Sequence, residues 1–152
     1  MKKVVLFLSL SFCFLIFAAN SFAQKQIQQQ VQRDPILEAD ALRNLEVARH
    51  YFKTKKAYKA VLMRFEETFA AYPDFSKMDE FLYLAGMSSY YLANNKGKQK
   101  IDLKSEDERK KYAPEKLRED TLMYLTMIIE SFPQSPYKNE AEKLLKELKA
   151  AK

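Results

Sequence analysis

The chain has 152 residues, with 26 Lys and Arg against 20 Asp and Glu, and the charges of both signs are interspersed, which argues against a nucleic-acid tract. Two glycines and no tryptophan argue against an all-β sandwich, whose many turns need glycine. One histidine, and a single cysteine that lies in the N-terminal apolar run, leave the rest of the chain without the ligands of most zinc sites or a Cys–His nucleophile.

In chain order, residues 1–23 read as a secretory leader. Lys2 and Lys3 make a basic start, and Val4 to Ala19 is uncharged and apolar apart from Ser9 and Ser11. Ser21 and Ala23 then set small residues at the −3 and −1 positions for cleavage before Gln24. The rival is an uncleaved anchor, because Val4 to Ala23 is long enough to cross a hydrocarbon layer of about 30 Å. Asn20 and Ser21 polarise the end of the stretch and favour cleavage, which places the mature protein in the periplasm. Phe12 stands where a lipobox wants a small residue, so no lipid is expected on Cys13. Without the leader the chain loses its cysteine and two lysines, so a mildly basic domain is held by packing alone. Residues 24–34 form a glutamine-rich flexible linker, with Ile27 and Val31 its only apolar members.

Residues 35–152 then read as one helical domain. Asp34-Pro35 is an N-cap followed by proline at the first helical position, and Leu42, Leu45, Ala48 and Phe52 recur at helical spacing. Lys53, Lys55 and Lys56 suit the helix C-terminus. A second helix runs from Ala57 to Tyr72, with Tyr58, Val61, Leu62, Phe65 and Phe69 on one face, and Pro73 ends it. Ser76 and Asp79 predict a capping box for a third helix through Phe81, Leu82, Ala85, Tyr91 and Leu92.

Residues 95–113 form a charged loop with little to bury and one short helical turn from Ser105. Lys96, Lys98 and Lys100 in its first half contrast with Glu106 to Glu108, and this mixture favours a solvated insertion. Contact with anionic headgroups or a partner protein is the other reading. A fourth helix starts near Pro114 and carries Leu117, Leu122, Leu125, Ile128, Ile129 and Phe132 up to Pro133. A fifth follows Ser135-Pro136, with Tyr137, Ala141, Leu144, Leu145 and Leu148 on one stripe. About five helices and no strand make the fold class all-α.

Two segments repeat one pattern. Phe65 and Leu125 each stand eight residues before a proline, and an aromatic, Tyr72 or Phe132, directly precedes it. This is the signature of helical hairpins that complete their core by stacking as a short solenoid. The first unit resembles a tetratricopeptide repeat, with Leu45, Ala48, Phe52, Tyr58, Val61 and Phe65 at signature positions. Arg49 and Val61 depart from it, standing where glycine and alanine are usual.

The order of pieces carries a narrower likeness. A helix with Tyr83, Gly86 and Met87, a charged insertion, a turn reading Phe132-Pro133, Ser135 and Tyr137, and a Lys-rich closing helix follow one another. This resembles the BamD-type outer-membrane assembly lipoproteins, from about Ala41 to Leu148. The resemblance implies stacked helical hairpins, a periplasmic role in β-barrel assembly, and an outer-membrane β-barrel insertion protein as partner. The short chain and the absent lipobox depart from that pattern.

No catalytic constellation is present. Gly86 and Gly97 stand alone, so no phosphate loop forms, and Glu66–Glu67 and Asp107–Glu108 are adjacent carboxylates with no cleft between them. The expectation is a non-enzymatic interaction scaffold with no cofactor, metal, small-molecule substrate or nucleic acid. Arg43, Glu46, His50 and Lys53 share the inner face of the first helix, where such repeats hold peptides or partner helices. Plain solvent-facing residues would show the same spacing. Glu80, Tyr83, Met87 and Tyr90 form the comparable face of the third helix, and ordinary helix packing is the competing account of the Tyr and Met. A general periplasmic scaffold in envelope maintenance or cell division is the alternative function, and association with the membrane surface stays open.

Overall fold

The computed structural model describes residues 33–102 and 104–150. The leader, its cleavage site, Cys13 and nearly all of the glutamine-rich linker lie outside them. The described residues are helical, in the order α1 (Pro35–His50), α2 (Tyr58–Ala71), α3 (Met78–Ala93), α4 (Glu106–Tyr112), α5 (Pro114–Ser131) and α6 (Lys138–Ala150). Five long helices are those the spacing predicts, and α4 is the short helix after Ser105. None is long and apolar enough to cross a membrane.

Local chemistry sets most boundaries. The Asp34 carboxylate accepts the Ile36 and Leu37 amides at 2.8 and 3.2 Å, with Pro35 in the first turn. At its far end α1 widens into a π-helical turn, Tyr51–Lys55, closed by Lys56 at φ 51°. Ser105 caps α4, whose first turn is acidic and last turn basic, in the sense the helix dipole favours.

The predicted capping box at Ser76 and Asp79 does not form. Lys77 occupies the N-cap of α3 with no side-chain bond. The Ser76 amide donates instead to the Glu38 carboxylate, and Asp79 accepts the Ser135 hydroxyl at 2.7 Å. Long-range partners outcompete the local bond there.

The α2–α3 and α5–α6 turns are built alike. In each, the residue before the proline donates to a carbonyl four back, as Tyr72 to Thr68 and Phe132 to Ile128. Two further backbone bonds match: Phe75 to Tyr72 and Met78 to Phe75, against Ser135 to Phe132 and Lys138 to Ser135. The repeat seen in sequence is therefore a repeat of backbone geometry.

Stacking follows chain order: α1 on α2, α2 on α3, α3 on α5 and α5 on α6. The result is a set of tetratricopeptide-like hairpins in a short solenoid. Arg33–Lys152 is one compact unit with its own core. Phe65 is a hub, stacked on Phe69 at 5.3 Å and meeting Phe81 and Tyr124 edge-on at 5.7 and 4.9 Å. The central helix α3 buries ten of its sixteen residues, among them Ala85, Gly86, Ser88 and Ser89. Such small side chains let helices approach on more than one side. A Cβ on Gly86 would lie 3.1 Å from Leu125 Cδ2, so glycine sets the α3–α5 spacing.

The charged segment is docked on α2. Lys59 reaches the Lys100 carbonyl and the Glu108 carboxylate, Lys111 pairs with Glu66, and the Gln99 side chain accepts the Ala60 amide. Tyr112 is buried and Ile101 packs against the core. The charges that suggest a purely solvated insertion in sequence are, at Glu108 and Lys111, the ones that fasten it.

Candidate partner-binding face

Side-chain contacts join α1 to α3 through Arg49 and Glu80, and α3 to the start of α6 through Tyr83 and Tyr137. On α1 and the turn after it, Arg43, Glu46, His50 and Lys53 are all exposed and share one stripe. Among the described residues Arg43 makes only a local ion pair, with Asp40 at 3.4 Å, both side chains well exposed. A pair of that kind contributes little and leaves the guanidinium available.

The α3 residues are placed differently. Glu80 receives both Nε and Nη2 of Arg49 in a fork-to-fork pair that ties α1 to α3. The two guanidinium–carboxylate bonds hold Glu80 below its ordinary pKa against the opposing effect of burial, with Lys77 and Lys53 adding to the lowering. Arg49 is raised by the same contact. Glu80 is thus already satisfied within the fold.

Tyr83 stacks on Tyr137 with ring centroids 4.7 Å apart and planes at 20°, joining α3 to the start of α6. Burial raises the pKa of its phenol strongly, and the Glu140 carboxylate beside it raises it further. Met87 and Tyr90 are half-buried. Tyr90 turns toward a cleft of about 330 Å³ between the ends of α3 and α6 and the first half of α5, with Arg118 and Lys149 among its lining residues.

Seven of the eight predicted residues therefore fall into three groups, and Met87, half-buried on α3, stands outside them. Arg43, Glu46, His50 and Lys53 form an open charged stripe, and Lys53 is near enough to Glu80 to bias its titration. Glu80 and Tyr83 are cross-links that fix α1, α3 and α6 to one another. Tyr90 belongs to the cleft. Arg49 and Tyr137, which complete the cross-links, are missed by the spacing argument. Arg49 had a visible signal, since a long cation stands where the repeat pattern places glycine, but nothing local points to a carboxylate 31 residues later.

No curated protein and no solved structure matches the chain. The family model described as YfiO, outer membrane lipoprotein, matches residues 19–151, which takes in every helix of the stack. The chain belongs to the YfiO family of outer membrane lipoproteins.

Proposed function

We propose that this protein is a non-enzymatic, periplasmic interaction scaffold that serves outer-membrane β-barrel assembly in the manner of the BamD-like proteins. The observation that carries this reading is the open α1 stripe set on a cross-linked floor, in a chain of the outer membrane lipoprotein family. The Arg49–Glu80 and Tyr83–Tyr137 contacts hold three helices in register before any partner arrives, so docking orders few side chains. The exposed cations and Glu46 give the face a polar selectivity that a plain apolar groove lacks. The partner is a protein, and in this reading a β-barrel insertion protein of the outer membrane.

The test is a crosslinked pull-down of the leaderless protein from envelope fractions of its own host, read by mass spectrometry. Recovery of a β-barrel insertion protein is expected. Arg43→Glu together with His50→Glu should abolish that recovery while leaving the thermal midpoint within a few degrees, since both side chains are exposed. Recovery of only other envelope proteins would instead favour a general scaffold in envelope maintenance or cell division. Recovery unchanged by the double variant would remove the α1 stripe from the interface.

A further inference from the structure

The fold gathers lysines from two distant segments at one end of the first hairpin. Lys55 and Lys56 come from the α1–α2 turn, and Lys96, Lys98 and Lys100 from the start of the insertion. The Lys98 amide donates to the Lys56 carbonyl at 3.0 Å, which fixes the two stretches side by side. Phe52, Tyr58 and Tyr91 pack on one another there, and Lys96 Nζ lies 5.8 Å from the Tyr91 ring. The base of the cluster is therefore a fixed part of the fold.

All five lysines are exposed. None takes part in an ion pair among the described residues. Three of the carboxylates that follow them in the chain are engaged elsewhere: Glu108 with Lys59 Nζ at 2.8 Å and the Asp102 amide at 2.7 Å, Asp102 with the Lys104 amide at 2.9 Å, and Glu106 with Lys110 at 2.7 Å. Residues 1–32, 103, 151 and 152 include no Asp or Glu, so no acidic side chain outside the described residues neutralises the cluster. Lys53 lies next to it on the α1 stripe, close enough to Glu80 to add to the lowering of that carboxyl's pKa.

We infer that this lysine cluster is a contact surface for anionic membrane lipids. Its chemistry separates that partner from an acidic protein. The five cations are lysines, point charges on flexible stems, with no guanidinium fork for bidentate recognition of a fixed carboxylate. A depression beside them, lined by Asn95, Lys96, Gln99 and Lys100 among others, holds about 20 Å³, too little to seat a side chain that would set register. A spread of unpaired lysines suits headgroups that diffuse to meet it. The inference rests on the envelope placement implied by the family and is independent of the α1 stripe.

The test uses residues 33–152, the compact unit with its own core, so that the apolar N-terminal stretch plays no part. The protein is sedimented with vesicles of phosphatidylcholine alone or mixed with phosphatidylglycerol. Binding to the mixed vesicles only, lost on raising the salt, is expected. Lys96→Glu with Lys98→Glu should weaken it about tenfold or more. Lys143→Glu with Lys146→Glu on exposed positions of α6, an equal change in net charge, should leave it nearly unaltered. Lysine acetylation read by mass spectrometry gives a second readout without substitution: vesicles should protect Lys55, Lys56, Lys96, Lys98 and Lys100 more than Lys143 and Lys146. Equal weakening by both double variants, or uniform protection, would overturn the inference. So would capture by immobilised polyglutamate without any vesicle binding, which would assign the cluster to an acidic polypeptide. A failed pull-down of a barrel-insertion protein would leave this result standing.

Discussion

At the scale of single residues the two glycines do different work. Gly97 has φ +102°, and a Cβ there would lie 2.7 Å from Tyr58 Cδ2 and 2.9 Å from the Lys56 carbonyl oxygen. Both the dihedral and the approach to backbone demand glycine. Gly86 is an ordinary helical residue whose added Cβ would meet the Leu125 side chain at 3.1 and 3.3 Å. Leu125 can shift by a few tenths of an ångström, and alanine gains up to about 1 kcal/mol in helix propensity. Gly97→Ala should therefore destabilise by about 2 kcal/mol or more, and Gly86→Ala by about 1 kcal/mol or less, measured as shifts of the urea midpoint at constant slope. The reverse order would mean that the docking of the insertion contributes little to stability.

At the scale of elements, the Arg49–Glu80 pair welds α1 to α3 with both side chains mostly buried. Glu80 is held below its ordinary value near 4.5, so the folded chain binds that proton more weakly than the unfolded chain does. The stabilisation is present above that ordinary value and is lost as the pH falls toward and through the depressed one. Wild-type stability should drop on acidification below about pH 4.5, and Glu80→Gln should flatten part of that drop while lowering stability near neutrality, read from chemical denaturation across pH. The helices that build this element pair were legible in sequence because Asp34-Pro35, Pro73, Pro114 and Pro133 act locally and the apolar spacing is regular. The cross-links were not, because Arg49 with Glu80 and Tyr83 with Tyr137 depend on how hairpins stack. The docked insertion escaped for a related reason: density of charge reads as solvation until Lys59 and Glu66 of α2 are seen to face Glu108 and Lys111.

For the whole molecule, stacking in chain order means that each helix is secured chiefly by its neighbours. The central α3 packs against α1, α2 and α5, whereas α6 packs on α5 and touches α3 through the Tyr83–Tyr137 and Asp79–Ser135 contacts at its start. Only Ala141 and Leu145 of α6 are fully buried. Amide hydrogen exchange should therefore be fastest in α6 and slowest in α3, by at least ~tenfold in protection. Exchange of all helices at a single rate would show that the stack opens as one unit. The family resemblance, the internal repeat and the all-helical class were all visible in the sequence at this scale, since they follow from periodicity and the order of pieces.

The hold of the insertion on α2 also bears on how the chain finds its fold. Bringing α5 to α3 means closing a loop of some twenty residues, and the entropy lost grows with the logarithm of its length. The bonds from the Lys98 amide to the Lys56 carbonyl, from Lys59 Nζ to the Lys100 carbonyl and from Lys111 to Glu66 divide that closure into shorter ones, each made against the first hairpin. A first hairpin that forms early would serve as a template on which the insertion is laid, leaving a shorter closure for α5. In kinetic terms the insertion is a guide rail, and loosening it at Gly97 should slow folding as well as weaken the folded state.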